Sequence, residues 1–146
     1  MRACLEELAE AQLLAAWLSR PGALLHCSEA ELGFAASEAE YLGALADLTG
    51  EVGRYAVARA TARDAAAVGV ALQTALAVHA AALRLGPAWP RALERKLGAL
   101  GTAATKMEQL LYDHSLVQRA GRRVAAPEWG SAGGGEAEAD EQEPAE

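Results

Sequence analysis

Between residues 93 and 118, side chains recur at alternating intervals of four and three: Leu93, Leu97, Leu100, Ala104, Met107, Leu111, His114 and Gln118. A seam of that period runs down one side of an α-helix and needs another helix to cover it. Its last two members are polar, so the seam is expected to weaken towards its end. Alanine, the best helix former, supplies 37 of the 146 residues. Aromatic residues make up only 5%, and β-branched residues are sparse, which excludes sheet folds. The expectation is an all-α, antiparallel bundle of about four long helices with short connections. Stripes of this length also suit burial in an oligomer.

Local signals place the elements. A first helix over residues 3–19 is stopped by Arg20-Pro21-Gly22. A connection with a short turn near residues 29–34 leads to a second helix, from residue 37 or 38 to 63. Ser37 and Glu40 have the spacing of a capping box there. Asp64 offers an N-cap for a third helix over 65–85, closed by Gly86-Pro87. Pro90 suits the first turn of a fourth helix reaching residue 118 or 120, with Gly121 as its stop. The second helix contains Gly43, Gly50 and Gly53, each costing about 0.8–1 kcal/mol against alanine. Close helix packing explains glycines at such positions, and room for a ligand is the sharper alternative.

The net charge of −7 belongs to the C-terminal end. Residues 128–146 hold seven acids and no Lys or Arg, whereas residues 1–127 hold 13 acids and 13 bases. Residues 1–120 therefore read as a helical domain and 121–146 as a disordered Gly/Glu-rich tail. Bulk charge announces no nucleic-acid binding, though it does not exclude a local basic patch. Arg119, Arg122 and Arg123 form one small basic cluster, which also suits a helix C-terminus. Cys4 and Cys27 form no CxxC and no disulfide framework, which fits a reducing compartment. Glu6, Glu7 and Glu10 stand where a signal peptide would be apolar. Residues 65–83 are long enough to span a membrane, but Gln73, Thr74 and His79 interrupt them, and a buried bundle helix is expected instead. No zinc spacing, phosphate loop or nucleophile elbow is present.

Carboxylates are the chemical signal. Glu7 and Glu10, three apart, share a face of the first helix, and Glu7 lies in line with Ala11, Leu14 and Leu18. Asp47 and Glu51, four apart, share a face of the second. Each pair repels weakly by itself, and a divalent cation between the helices would reverse the sign. Such an ion lowers the pKa of bound water and stabilises phosphoryl oxygens. The opposing reading is a solvated face, because Asp47, Glu51 and Arg54 lie opposite the stripe Leu45, Val52, Ala56. Arg54, three residues after Glu51, has the spacing of a salt bridge to it. His79 reads as a core histidine, and His114 as an interface marker on the seam.

The segment from Tyr41 to Arg54, YLGALADLTGEVGR, resembles the signature helix of the translin family, particularly its translin-associated factor X branch. Leu5-Glu6-Glu7-Leu8-Ala9-Glu10-Ala11 resembles the family's glutamate-bearing helix. Gly86-Pro87 with Arg95-Lys96-Leu97, and Lys106-Met107-Glu108 with Tyr112-Asp113-His114-Ser115, resemble its last long helix. The resemblance covers residues 5–118. It implies a hollow oligomer, formed with a translin-like subunit or with copies of itself, that binds single-stranded RNA. It also implies a Mg²⁺- or Mn²⁺-dependent endoribonuclease with Glu7, Glu10, Asp47 and Glu51 as metal-binding and catalytic acids and Arg54 on the RNA. The expected location is the cytoplasm, extending to the nucleus. The family's long basic first helix has no counterpart here, so the chain is expected to lack it. The alternative is a non-catalytic RNA- or DNA-binding scaffold. A third reading, an all-α nucleoside triphosphate pyrophosphatase, matches EExxE at Glu6, Glu7 and Glu10. It lacks the second half of that motif, because Ala44 stands three before Asp47.

Overall fold

A computed structural model describes residues 2–124. Four long helices pack against one another: α1 (Arg2–Ser19), α3 (Glu38–Thr61), α4 (Ala65–Leu85) and α5 (Glu94–Val124). A single turn, α2 (Glu29–Leu32), interrupts the connection after α1, and 3₁₀ turns at Gly86–Ala88 and Arg91–Leu93 lead into α5. There is no strand among the described residues. α3 is the central element and packs on α1, α4 and α5.

The caps follow the local chemistry. Ser37 and Glu40 form a complete capping box at the start of α3. Asp64 accepts the Ala67 N–H at 3.0 Å and so caps α4. α3 ends at Thr61, two residues short of the expected 63, because Arg63 turns the chain with φ +61. Pro90 stands before the turn Arg91–Leu93, so α5 begins at Glu94 rather than at 90. Gly121 does not stop the helix, which continues to Val124. Isolated glycine weakens a helix but does not oblige it to end. The acidic segment 125–146 lies outside the described residues.

Helix direction follows from the contacts. α3 and α4, joined by a three-residue turn, run antiparallel, as short connections require, and α5 turns back against α4 in the same way. Trp17 meets Tyr55 with ring centroids 5.0 Å apart, while Glu6, near the start of α1, lies against Gly43, near the start of α3. α1 and α3 therefore run in the same direction. Lys96 reaches Asp47, and His114 Nε2 lies 3.2 Å from the Arg63 carbonyl, so α5 also runs with α3. The connection over residues 20–37 is a crossover, tied to α3 by the Tyr41 hydroxyl, which donates to the Leu25 carbonyl at 2.6 Å.

The main core joins Ala9, Leu13 and Trp17 of α1 to Leu48, Val52 and Ala56 of α3, with Val68, Ala71 and Ala75 of α4 and Met107 of α5. The seam behaves as its spacing implies: Leu93, in the turn before α5, and Leu100, Ala104 and Met107 of α5 are buried, Leu111 and His114 half-buried, and Gln118 exposed. α4 is long and apolar enough to cross a membrane, with mean hydropathy 1.7. In the fold, its Val68, Ala71, Leu72, Ala75, Val78 and Ala82 are buried. His79 packs its ring against Gly101 of α5, where a β-carbon would stand 3.2 Å from the imidazole.

Candidate functional site

The three co-directed helices meet along the first half of α1, the middle of α3 and the first half of α5. Glu10 of α1 with Asp47, Glu51 and Arg54 of α3 line one cleft of about 330 Å³, to which α5 contributes Ala99 and Ala103. Three of the four acids expected as the site thus meet in one place, together with the expected arginine.

Glu7 is not among them. The stripe expected to carry it fails, because Glu7, Ala11 and Leu18 are exposed and only Leu14 is half-buried. The buried line on α1 is Ala9, Leu13 and Trp17, with Trp17 as its largest anchor. Placing that line inward turns Glu6 and Glu10 towards α3 and Glu7 towards solvent.

Glu6 and Lys96 are the members that spacing did not single out. Lys96 Nζ donates to Glu6 Oε1 and to Asp47 Oδ2, both at 2.6 Å, and lies 3.4 Å from the Gly43 carbonyl. One ammonium thereby joins α1, α3 and α5. Burial pulls the Lys96 pKa down, but the hydrogen bonds to Asp47 and Glu6 and their charges outweigh that, so it lies above the ordinary lysine value. Gly43 explains the reach of Glu6, since a β-carbon there would overlap the Glu6 carboxylate. Close approach is therefore the reason for glycine at this one position. Gly50 faces open space and Gly53 lies against Met107, so those two leave room beside the helix.

Arg54, with its side chain 76% exposed, pairs with Glu51. The salt bridge expected as the bland reading of Arg54 is therefore present, and the guanidinium still lines the cleft. Glu10 has its pKa raised. Burial is the largest cause and the Asp47 charge the next; Glu7 adds to the shift, while Lys96 and Arg54 oppose it.

A carboxyl whose folded pKa exceeds its unfolded value binds its proton more tightly in the native state. Ionised Glu10 thus weakens the fold at neutral pH, and that penalty fades as pH falls through the raised value towards 4.5. Glu10→Gln is expected to melt at a higher temperature than the parent at pH 7, with the gap narrowing at pH 4. Calorimetric melts at the two pH values check it, and a lower melting temperature at pH 7 would count against this account.

The donor set also bears on metal binding. Carboxylate oxygens are the ligands that Mg²⁺ takes, and it needs only one or two of them beside its waters. Among the described residues, no three acid, His or Cys side chains stand close enough to hold one ion together. Asp47 and Glu51 each already face a protein cation.

An all-α bundle whose central helix presents acids and an arginine to a cleft is the class that the fold and site define. The family model described as the Translin family matches residues 1–118, and the chain belongs to that family. Membership fits a translin-like nucleic-acid-binding subunit. No curated protein matches the chain.

Proposed function

We propose that the chain is a single-stranded-RNA-binding subunit of a translin-type oligomer, and that the cleft between α1, α3 and α5 cleaves phosphodiesters with Mg²⁺ or Mn²⁺. The observation that carries this reading is the meeting of Glu10, Asp47, Glu51 and Arg54 in one cleft from two helices. The presence of an acid at position 47 also supports the factor X branch of the family.

Asp47, with Glu10 or Glu51, would hold the ion; when bound, it supplies charge stabilisation and an acidified water. Glu10, whose proton burial and the Asp47 charge hold more tightly than an ordinary carboxyl's, suits proton transfer to or from water. Arg54 can leave Glu51 and grip a phosphate through two N–H groups, since its side chain is largely in solvent. Lys96 keeps Asp47 at its place on the cleft wall. Glu7 contributes its charge from outside the cleft.

The pairing of Asp47 with Lys96 and of Glu51 with Arg54 favours a second reading, a scaffold that binds RNA without cutting it. The two separate on 5′-labelled single-stranded RNA with Mg²⁺ or Mn²⁺. Wild type is expected to give metal-dependent fragments. Asp47→Ala and Glu10→Ala should each lose about 100-fold or more of that rate, the scale of a positioned acid or base, while still binding RNA. Unchanged cleavage in both variants removes the proposed site. Binding without metal-dependent products selects the scaffold.

A further inference from the structure

We propose that the groove continuing from the acid cleft between α3 and α5 seats the base of a nucleotide adjoining the phosphate in that cleft, without preference among bases. This rests on the nucleic-acid-binding reading above and gives it a subsite. The groove has a volume of about 510 Å³, within the usual range of small-ligand clefts. It shares Thr49, Gly50, Arg54, Ala99 and Ala103 with the acid cleft, so a strand can pass from one to the other without leaving the protein surface.

The two clefts differ in chemistry. Three carboxylates line the first, whereas the second has Val57, Met107 and Leu110 as apolar walls and no acid at all. Its charged members are Arg54 and Lys106. Lys106 is exposed and makes no ion pair among the described residues. An apolar trough with a cation from each helix matches a flat, weakly polar body attached to phosphates. A nucleotide in a strand has that form, and the continuity with the acid cleft favours it over a free amphiphilic anion.

Glycine makes the trough. No atom lies within 4 Å of a β-carbon built at Gly50, and one built at Gly53 would stand 3.6 Å from Met107 Cε. Two residues that weaken a helix thus occur where side chains would fill the groove. The lining hydroxyls spend their protons within their own helices: Thr49 Oγ1 donates to the Ala46 carbonyl at 2.7 Å, and Thr102 Oγ1 to the Gly98 carbonyl at 3.1 Å. Neither has a proton left to donate to a base edge, so contact and charge dominate recognition, which tolerates any base.

Gly50→Leu fills the trough. Its first carbon meets nothing, and leucine is the better helix former, so the variant is expected to fold. The full chain is titrated, by fluorescence anisotropy, into labelled oligouridylate, oligoadenylate and an abasic ribose-phosphate oligomer of equal length. Wild type is expected to bind both base-bearing strands similarly and about tenfold more tightly than the abasic one. Gly50→Leu should bring that ratio close to one, whatever its effect on the abasic strand, because Gly50 also lines the acid cleft. Lys106→Gln should weaken all three and flatten the salt dependence.

The proposal is overturned if Gly50→Leu keeps the wild-type ratio. It is also overturned if the two homopolymers differ by more than about tenfold. A changed particle mass of Gly50→Leu by light scattering overturns it too, by making the groove a subunit contact. If wild type binds none of the strands, this inference and the nucleic-acid reading fall together. Base-dependent binding without cleavage leaves the subsite standing and removes only the nuclease.

Discussion

Lys96→Met is expected to tighten Mn²⁺ binding to the RNA-free protein by about tenfold or more, while lowering the stability of the fold. The ammonium stands 2.6 Å from Asp47 Oδ2 and from Glu6 Oε1, so it already acts as the cation of this carboxylate group. A divalent ion taking Asp47 must do so against that charge. Repulsion between unit charges about 4 Å apart is roughly 1 kcal/mol in water and about 4 kcal/mol under the screening typical of a protein surface. About 1.4 kcal/mol is a factor of ten in affinity. Methionine keeps most of the side-chain length and removes the charge. The cost is two carboxylates facing each other without compensation. Breaking a fully buried pair costs about 3–5 kcal/mol. Here Lys96 and Glu6 keep 29% and 27% of their side-chain exposure and Asp47 keeps 42%, so solvent screening reduces that to about 1–2 kcal/mol. Adding Mn²⁺ should restore part of the lost stability, because ligand binding to the native state stabilises it. Calorimetric titration with Mn²⁺ and thermal melts with and without the ion provide the check. Unchanged or weaker binding in Lys96→Met would show that Lys96 and the ion do not compete for Asp47.

What the chain reveals by inspection follows the range of the interactions involved. The capping box at Ser37 and Glu40, the Asp64 cap and the bounds of α4 are legible because each depends on residues within one turn. The seam on α5 is legible because its period is a property of one helix. The end of α3 is less so, since the left-handed turn at Arg63 has no glycine to announce it. The choice between Glu6 and Glu7 is harder still. Both stand three or four residues from other candidates on α1, and only the docking of Trp17 decides which stripe goes inward. Asp47 and Glu51 could be paired by spacing, and Glu10 joined to them by resemblance. Lys96 could not be paired with them, because it lies 49 residues from Asp47 and its partner depends on the register of α5 on α3. That register follows from helix direction, and the direction of α1 depends on a crossover whose own sequence carries little pattern. The site is therefore half legible: Glu10, Asp47 and Glu51 are visible, whereas Glu6 and the Lys96 ammonium that pairs with it and with Asp47 are not.

Trp17→Ala is expected to cost about 3–5 kcal/mol of folding stability, the range for truncating a large buried aromatic side chain. Trp17 is 0% exposed and is the largest fully buried side chain of the core. It meets Tyr55 of α3 edge to face, and its Nε1 donates to Thr74 Oγ1 of α4 at 2.9 Å. One residue thus pins α1 to two neighbours. Domains of this size have about 5–15 kcal/mol in total, so the variant sits near the edge of folding. Trp17→Phe separates packing from the hydrogen bond. It keeps a ring beside Tyr55 and removes the donor, and Thr74 Oγ1 retains its own bond to the Val70 carbonyl at 3.1 Å. Its cost should be nearer 1 kcal/mol for the lost bond, plus the smaller ring volume. The consequence for the cleft is specific. Glu10 lies seven residues before Trp17, two turns along α1, and faces Asp47 only while that helix stays docked. Guanidinium unfolding measures the two costs. Hydrogen exchange on α1 then distinguishes local release of the helix from global loss. A Trp17→Ala protein as stable as the parent, or one with α1 as protected as before, would show that some other contact holds Glu10 against the central helix.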